Sequence, residues 1–437
     1  MTPASKSRLR RPKPRVPSTR ALRRLIERCA GESLAEPFDP AHPRVRLHEP
    51  TYGAAEVWEA LESLLSTRVT AGEKVRGFER AFAERFALGR AVMVNSGSSA
   101  NLLAIAALCN PELDPRLGPG DEVIVPALSW STSVWPLIQH GLVPVVVDID
   151  PRTLNIDPAE AERAVGPRTR GVLLVHVYGN PCELGAIGDL VRRRSLVLVE
   201  DCCEAVGARY EGRSVGSFGR IGTFSFYFSH HITTLEGGMA VTAEPALADL
   251  LRILRAHGWI RECDDAERYV RVSPHIDPKF LFVNLGYNVR ATDLQGGIGR
   301  VQLERLEGFL QIRRENARAW SRDMTRWGEW FEAQQETPGG RSSWFGFPMV
   351  VREGAPFSVG ELRAFLGKRG IETRPLIAGN MAAQPGLRRF PHRVVGDLRH
   401  ADHVMRNGFT FGNHQGVDVA ARRYVSDTID AFLRAGR

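Results

Sequence analysis

Phe224-Ser225-Phe226-Tyr227-Phe228-Ser229-His230-His231-Ile232-Thr233-Thr234-Leu235-Glu236-Gly237-Gly238 is an apolar run that meets two adjacent histidines and closes on a Gly-Gly turn. The run from Thr223 to Phe228 reads as a strand, and Met239–Thr242 as its close partner. Paired histidines at a strand end could ligate a metal, but that needs further His or carboxylate ligands at matching spacing. The chain contains no HxH or HxxxH. Hydrogen-bonded histidines, and no metal site, are therefore expected.

Outward from this segment, short apolar runs alternate with helical patterns. Strands are expected at Val92–Val94, Val123–Val125, Val143–Val147, Gly171–Val175 and Leu196–Val199. Helices are expected at Ser98–Leu108, near Ser133–Gln139, and at Asp157–Val165, opened by a capping aspartate. Such alternation implies an α/β fold with a mostly parallel sheet covered on both faces. Ligands of these sheets bind beyond the carboxyl ends of the strands. A helix-rich connection over Thr292–Thr325 leads to a smaller α+β unit: Trp344–Val351 a strand, Ser358–Lys368 a helix, Glu372–Leu376 a strand, Ala420–Leu433 a closing helix. The expected organisation is a basic, disordered arm over 1–45, a large α/β domain over 46–325 and a small domain over 326–437.

The 437 residues are 43% hydrophobic and 25% charged, which excludes a disordered, collagenous or coiled-coil protein. The net charge of +8 comes from the first 24 residues, with nine Lys and Arg and no acid; the remainder carries −1. A near-neutral body argues against a nucleic-acid reader. No run of about 18 apolar residues exists to span a membrane. Six sparse cysteines without a CxxC pair fit free thiols in a reducing cytoplasm.

Several residues just past the strand ends can do chemistry. Asn95-Ser96-Gly97-Ser98-Ser99-Ala100-Asn101 is either a plain capped helix start or an anion site, where Gly97 gives a tight turn and Ser98 and Ser99 offer hydroxyls and free N–H groups. Trp130 is either a core aromatic or a platform for a flat heterocycle. Asp201 is either a helix cap or the partner of a protonated ring nitrogen, since an acid there needs pairing. Cys202 and Cys203 read as small buried hydrophobes.

The order of these motifs resembles the vitamin-B6-dependent sugar aminotransferases of the DegT/DnrJ/StrS type, with fold type I, over about residues 50–435. The resemblance rests on the Gly-Ser-Ser turn, the stacking aromatic, Glu200-Asp201, the Ser225-Phe226…Thr234…Glu236-Gly237-Gly238 run, and Gly286-Tyr287-Asn288-Val289-Arg290 with Asp293-Leu294-Gln295. One departure dominates: the family's cofactor-bonding lysine falls on His230, and a histidine cannot bond to the cofactor aldehyde. That substitution marks the sugar 3-dehydratase branch. Tyr178-Gly179-Asn180-Pro181, Glu204 in place of the usual Gln, Arg255–Trp259, Ser343–Phe347 and Arg374–Asn380 resemble that branch too.

One kind of member carries a [2Fe–2S] cluster and acts on a CDP-linked sugar. Four thiolates are needed, and only Cys263 lies between the His-His and Gly-Tyr-Asn segments. No iron–sulfur cluster is expected. The other kind acts on a GDP-linked 4-keto-6-deoxy-mannose and uses glutamate.

The resemblance implies non-covalent pyridoxamine or pyridoxal phosphate. Gly97, Ser98, Ser99 and Ser225 would hold its phosphate, with Asn288 reaching in from the other subunit of a homodimer. Trp130 would stack on the ring, Asp201 would hold its nitrogen protonated, and Glu204 would orient the cofactor or a water. His230 would move the proton that starts loss of the carbon-3 hydroxyl, and could return it to the leaving group. L-glutamate would then restore the amine form. A lysine could recapture the cofactor and pass a proton to sugar carbon 4; a histidine moves protons without trapping it. His231 would hydrogen-bond or face substrate. The competing readings are an iron–sulfur dehydrase, an ordinary aminotransferase, which needs a lysine at 230, and a non-catalytic binding protein.

Overall fold

The computed structural model describes residues 19–435. The Arg- and Pro-rich stretch before Thr19 lies outside them. The arm expected to be disordered to residue 45 is not so in its second half. Thr19–Ala30 forms helix α1, and Ile26 and Ala30 on it are buried. Val45 is buried and bridges to Ile371 in the small unit. Charge and proline content dominated that stretch of sequence; the buried positions are few.

Helices α2 (Ala54–Ser66) and α3 (Glu73–Phe86) precede the sheet. The large unit then alternates as expected: β1 (Arg90–Val94), α4 (Gly97–Leu108), β2 (Glu122–Pro126), α5 (Ser131–Gln139), β3 (Val143–Val147), α6 (Pro158–Arg163), β4 (Thr169–Val175), α7 (Leu184–Arg194), β5 (Val197–Asp201), β6 (Ile221–Ser225), β7 (Gly238–Thr242) and α8 (Pro245–Arg255). Asp157 caps α6 by accepting from the N–H of Ala159 at 2.8 Å. The strands are short and buried almost throughout, which is why they lack alternation. Their order is β1-β7-β6-β5-β4-β2-β3, and β7 alone runs antiparallel to its neighbours. Two apolar layers cover the two faces, one around α4 and one around α3 and α7.

Helix α9 (Asp293–Trp327) is 35 residues long and links the two units; Thr292 and Gln295 form its capping box. The small unit holds an antiparallel sheet of β8 (Phe331–Ala333), β9 (Met349–Val351), β10 (Thr373–Arg374) and, further on, β12 (Gly408–Phe411), with helices α10 (Val359–Gly367) and α11 (Val419–Ala435). Its core centres on Trp320, Phe347, Phe409 and Phe411.

Two expectations here need correction. The strand expected over Trp344–Val351 covers only its last three residues. Trp344 has φ +49°, and Phe345 N–H donates instead to Tyr178 O at 2.8 Å. The strand expected over Glu372–Leu376 stops at Arg374, because Pro375 has no N–H to pair. The small unit also reaches the large one. Segment β11 (Arg393–Val394) pairs with the free edge of β3, drawn there by an Arg393–Glu122 ion pair at 2.6 Å. Leu376, Met381, Leu387 and Leu398 pack into the large unit's core. No helix among the described residues is long and apolar enough to cross a membrane.

Candidate active site

A cleft of about 360 Å³ opens beyond the carboxyl ends of β1, β2, β5 and β6. The turn after β1 forms one wall. Ser96 takes an extended backbone and its Oγ accepts the N–H of Ser99 at 3.0 Å, capping α4. A side chain at position 97 would place its Cβ 2.5 Å from Ser225 Cβ and 3.0 Å from Cys203 Sγ. Glycine there lets the helix start press onto β6. Ser96, Gly97 and Ser98 line the cleft, with Ser225 facing them from the end of β6. Ser99 does not share that wall: its Oγ accepts from Ser96 Oγ at 3.1 Å. Ser99 Oγ thus takes part in the cap as an acceptor, and its own O–H keeps a proton to donate.

Asp201, at the end of β5, forms the floor. Its Oδ2 accepts Asn101 Nδ2 at 2.7 Å and Ser133 Oγ at 2.6 Å; its Oδ1 accepts the N–H of Cys203 at 3.0 Å. Thr223 Oγ1 in turn donates to Asn101 Oδ1 at 2.6 Å. A buried carboxylate is tolerable with such donors, and its Oδ1 keeps capacity for one more. Trp130 stands 54% exposed at the rim of the cleft, so it is not a core aromatic.

His230 follows a turn in which its N–H donates to Tyr227 O at 2.9 Å. Its ring sits 5.1 Å from that of Phe345 and 6.0 Å from that of Tyr227. Its Nδ1 is buried without a hydrogen-bond partner. Burial pushes its pKa down to about 3, with the Arg374 and Arg313 guanidinium groups adding to the effect. The ring is therefore neutral at pH 7 and able to accept a proton. An anion entering the cleft would favour the protonated ring and raise that value. His231 is fully buried, and its Nε2 donates to Ser343 O at 3.2 Å. That bond pins the 343–345 loop, and places His231 in the hydrogen-bonding alternative.

Glu204 reaches the same cleft with Oε2 accepting the N–H of Tyr178 at 2.9 Å. Burial raises its pKa to about 7, against the pull of Arg374. Arg374 lines the cleft with its guanidinium over the rings of Tyr178 and Phe345. Arg374 and Phe345 stood in quoted motifs without an assigned role. Asn101, Ser133 and Thr223 carried no sequence signal beyond their positions near strand ends, because only the fold brings them to Asp201.

Asn288 lies outside this cleft. It is exposed, bridges to Ala256 through the backbone, and accepts from Arg290 Nη2 at 3.0 Å. Phe280, Phe282 and Leu285 beside it in sequence are exposed too.

Behind the floor, ligand atoms of His176, Glu200 and Cys202 lie within 4.8 Å of one another. Their hydrogen bonds are already made. Glu200 accepts the N–H groups of Gly216, Phe218 and Gly219 as well as His176 Nε2, and His176 Nδ1 accepts the N–H of Cys182. The group is a brace under β5. All six cysteines are free thiols.

Comparison with known proteins bears on this geometry. The chain is 40% identical over 372 residues to a GDP-4-keto-6-deoxy-D-mannose 3-dehydratase of Yersinia pseudotuberculosis, covering 83% of this chain and 93% of that one. The solved Escherichia coli GDP-4-keto-6-deoxy-D-mannose-3-dehydratase with bound hydrated PLP superimposes with a TM-score of 0.82 at 37% identity, over 88% of this chain and 99% of that one. A solved GDP-4-keto-6-deoxymannose-3-dehydratase with a trapped PLP-glutamate adduct gives 0.81 at 37% identity, over 88% and 100%. A family model matches residues 50–430. With the fold type I architecture and the cleft in place, the chain belongs to the DegT/DnrJ/EryC1/StrS aminotransferase family.

Proposed function

We propose that this chain is a nucleotide-sugar 3-dehydratase. It removes the carbon-3 hydroxyl of a GDP-linked 4-keto-6-deoxy hexose, with pyridoxamine phosphate as cofactor and L-glutamate as the amine source. The carrying observation is His230: it stands where the family's lysine would, lines the cleft, and keeps an unpartnered Nδ1. The relatives' own activities, a cofactor-bound structure and a glutamate adduct among them, support the same reading.

The residues present fit the cofactor. Gly97 lets the start of α4 close up against Ser225 at the cleft wall, and Asp201 Oδ1 has capacity for a further donor. Gly97, Ser98 and Ser225, with Ser99 from the same turn, would hold the phosphate, Trp130 would cover the ring, and Asp201 would hold the ring nitrogen protonated. When bound, the cofactor supplies an amine that joins the sugar ketone and a ring that withdraws electrons. His230 accepts the proton whose removal starts loss of the carbon-3 oxygen, as a neutral imidazole can. Without a lysine, nothing at position 230 bonds covalently to the cofactor.

Asn288 would complete the phosphate site of a second copy. Its exposure away from its own cleft, beside the exposed Phe280, Phe282 and Leu285, supports a homodimer with this segment at the interface. Free thiols fit a cytoplasmic enzyme.

The test follows the cofactor spectrum. Glutamate should convert bound pyridoxal phosphate to the amine form. Adding GDP-4-keto-6-deoxymannose should restore the aldehyde form and release one ammonia per sugar. An amino sugar formed without ammonia would contradict the proposal.

A further inference from the structure

We propose that Glu204 is the acid that protonates the departing carbon-3 oxygen, a role separate from that of the base His230; the assignment rests on the dehydratase reading above. Glu204 comes from the loop after β5 and His230 from the loop after β6, and both line one cleft. The two oxygens of Glu204 have different surroundings. Oε2 is fixed by the N–H of Tyr178 at 2.9 Å. Oε1 has Arg374 Nη2 at 3.9 Å, beyond hydrogen-bond reach.

The donor to Oε2 is held rigidly. Tyr178 sits at φ +54° in the turn Val177–Gly179, a conformation an L-residue adopts only under constraint. Ser343 N–H on Gly179 O and Phe345 N–H on Tyr178 O tie that turn down, at 3.0 Å and 2.8 Å. The turn therefore aims one backbone N–H at one carboxyl oxygen and leaves the other free to carry a proton. Burial keeps a large share of Glu204 protonated near pH 7, while His230 stays neutral. A cleft that holds a neutral base and a protonated acid at one pH has both groups an elimination of water needs.

The step balances. His230 takes a proton from the carbon bearing the amine, and the electron pair of that C–H bond passes through the conjugated system to break the carbon-3 C–O bond. Glu204 gives its proton to that oxygen, and water departs. One carbon is oxidised by two electrons and carbon 3 is reduced by two; glutamate later restores the amine form. His230 is left protonated and Glu204 ionised, and proton exchange with solvent resets both.

Glu204→Gln keeps the acceptor for Tyr178 N–H and loses the acidic proton. Its turnover of GDP-4-keto-6-deoxymannose should fall about 10²- to 10⁴-fold beyond whatever change its glutamate half-reaction, followed by absorbance, shows. The 3-deoxy-3-fluoro analogue, whose fluoride leaves without a proton, should react nearly equally with both proteins. Glu204→Asp, a shorter acid, should recover part of the loss on the hydroxyl substrate. Undiminished hydroxyl turnover by Glu204→Gln, or equal loss with both leaving groups, would overturn the assignment. A wild type that exchanges with glutamate but dehydrates neither sugar would overturn the dehydratase reading, and this assignment with it. Wild-type dehydration beside a contrary Glu204→Gln result would overturn the Glu204 role alone.

Discussion

Asn101→Leu should loosen Asp201, by an amount that the contacts fix. Asn101 is 2% exposed on α4; leucine matches its branching, but methyl groups need more room than the polar atoms now held at 2.6–2.7 Å, so some overpacking adds to the loss of the bonds. The substitution deletes a charge-assisted bond to Asp201 Oδ2 at 2.7 Å and a neutral bond from Thr223 Oγ1 at 2.6 Å. The first is worth about 1.5–3 kcal/mol and the second about 1 kcal/mol. Thr223 falls back on Glu200 O at 3.4 Å, a poor replacement. The lost bonds alone amount to about 3 kcal/mol, close to a hundredfold in an equilibrium constant, so the expected total is at least that. Ser133 still donates to the carboxylate at 2.6 Å, so Asp201 stays in place but is held less firmly. The assays are the urea midpoint of the apo protein, at unchanged denaturant slope, and the Kd for pyridoxal phosphate. Both should worsen. Thr223→Val should also destabilise, by orphaning Asn101 Oδ1. The double variant should cost less than the sum, because Thr223 and Asn101 then leave no polar atom of their pair behind. Unchanged midpoint and Kd in Asn101→Leu, or strict additivity of the pair, would refute this account of Asp201.

Gly97→Ala puts a Cβ 2.5 Å from Ser225 Cβ, and overpacking of about 1–3 kcal/mol should raise the cofactor Kd about tenfold or more; calorimetric titration showing unchanged affinity would count against the wall assignment. Trp130→Ala removes an exposed ring, so apo stability should hold within about 0.5 kcal/mol while cofactor affinity drops about tenfold; fluorescence titration with affinity intact would remove the stacking role. His414 is buried, with Nε2 on Arg46 O at 3.0 Å, and burial pushes its pKa down to about 3. The unfolded imidazole titrates near 6.5, so it takes a proton that the folded one refuses, and this group's share of stability falls as pH drops from about 6.5 toward 3. His414→Gln should lessen that acid sensitivity by up to about 1.4 kcal/mol per pH unit. Urea midpoints with the same pH slope in both proteins would contradict it.

The large unit was legible because its strands are apolar runs a few residues long, separated by capped helices. Val143–Val147 and the Asp157 cap match the structure to the residue. The small unit was less so. Trp344–Phe347 looks like a strand, but Phe345 N–H goes to Tyr178 O and Trp344 N–H to Ser342 Oγ, choices that no local strand pattern encodes. Arg393–Val394 is two residues of sheet edge, fixed by one ion pair to Glu122. In the site, residues just after strand ends could be found because the sheet type says where ligands bind. Asn101, Ser133 and Thr223 could not, since each supports Asp201 from a separate element.

A histidine in place of the lysine predicts dehydration and not amination, and the mass of the nucleotide sugar after incubation with pyridoxal phosphate, glutamate and GDP-4-keto-6-deoxymannose, with no reductase present, separates the two. A product lighter by one oxygen, formed by wild type and lost in His230→Asn, is the expected result. A product with an amino group in place of the ketone would contradict that prediction.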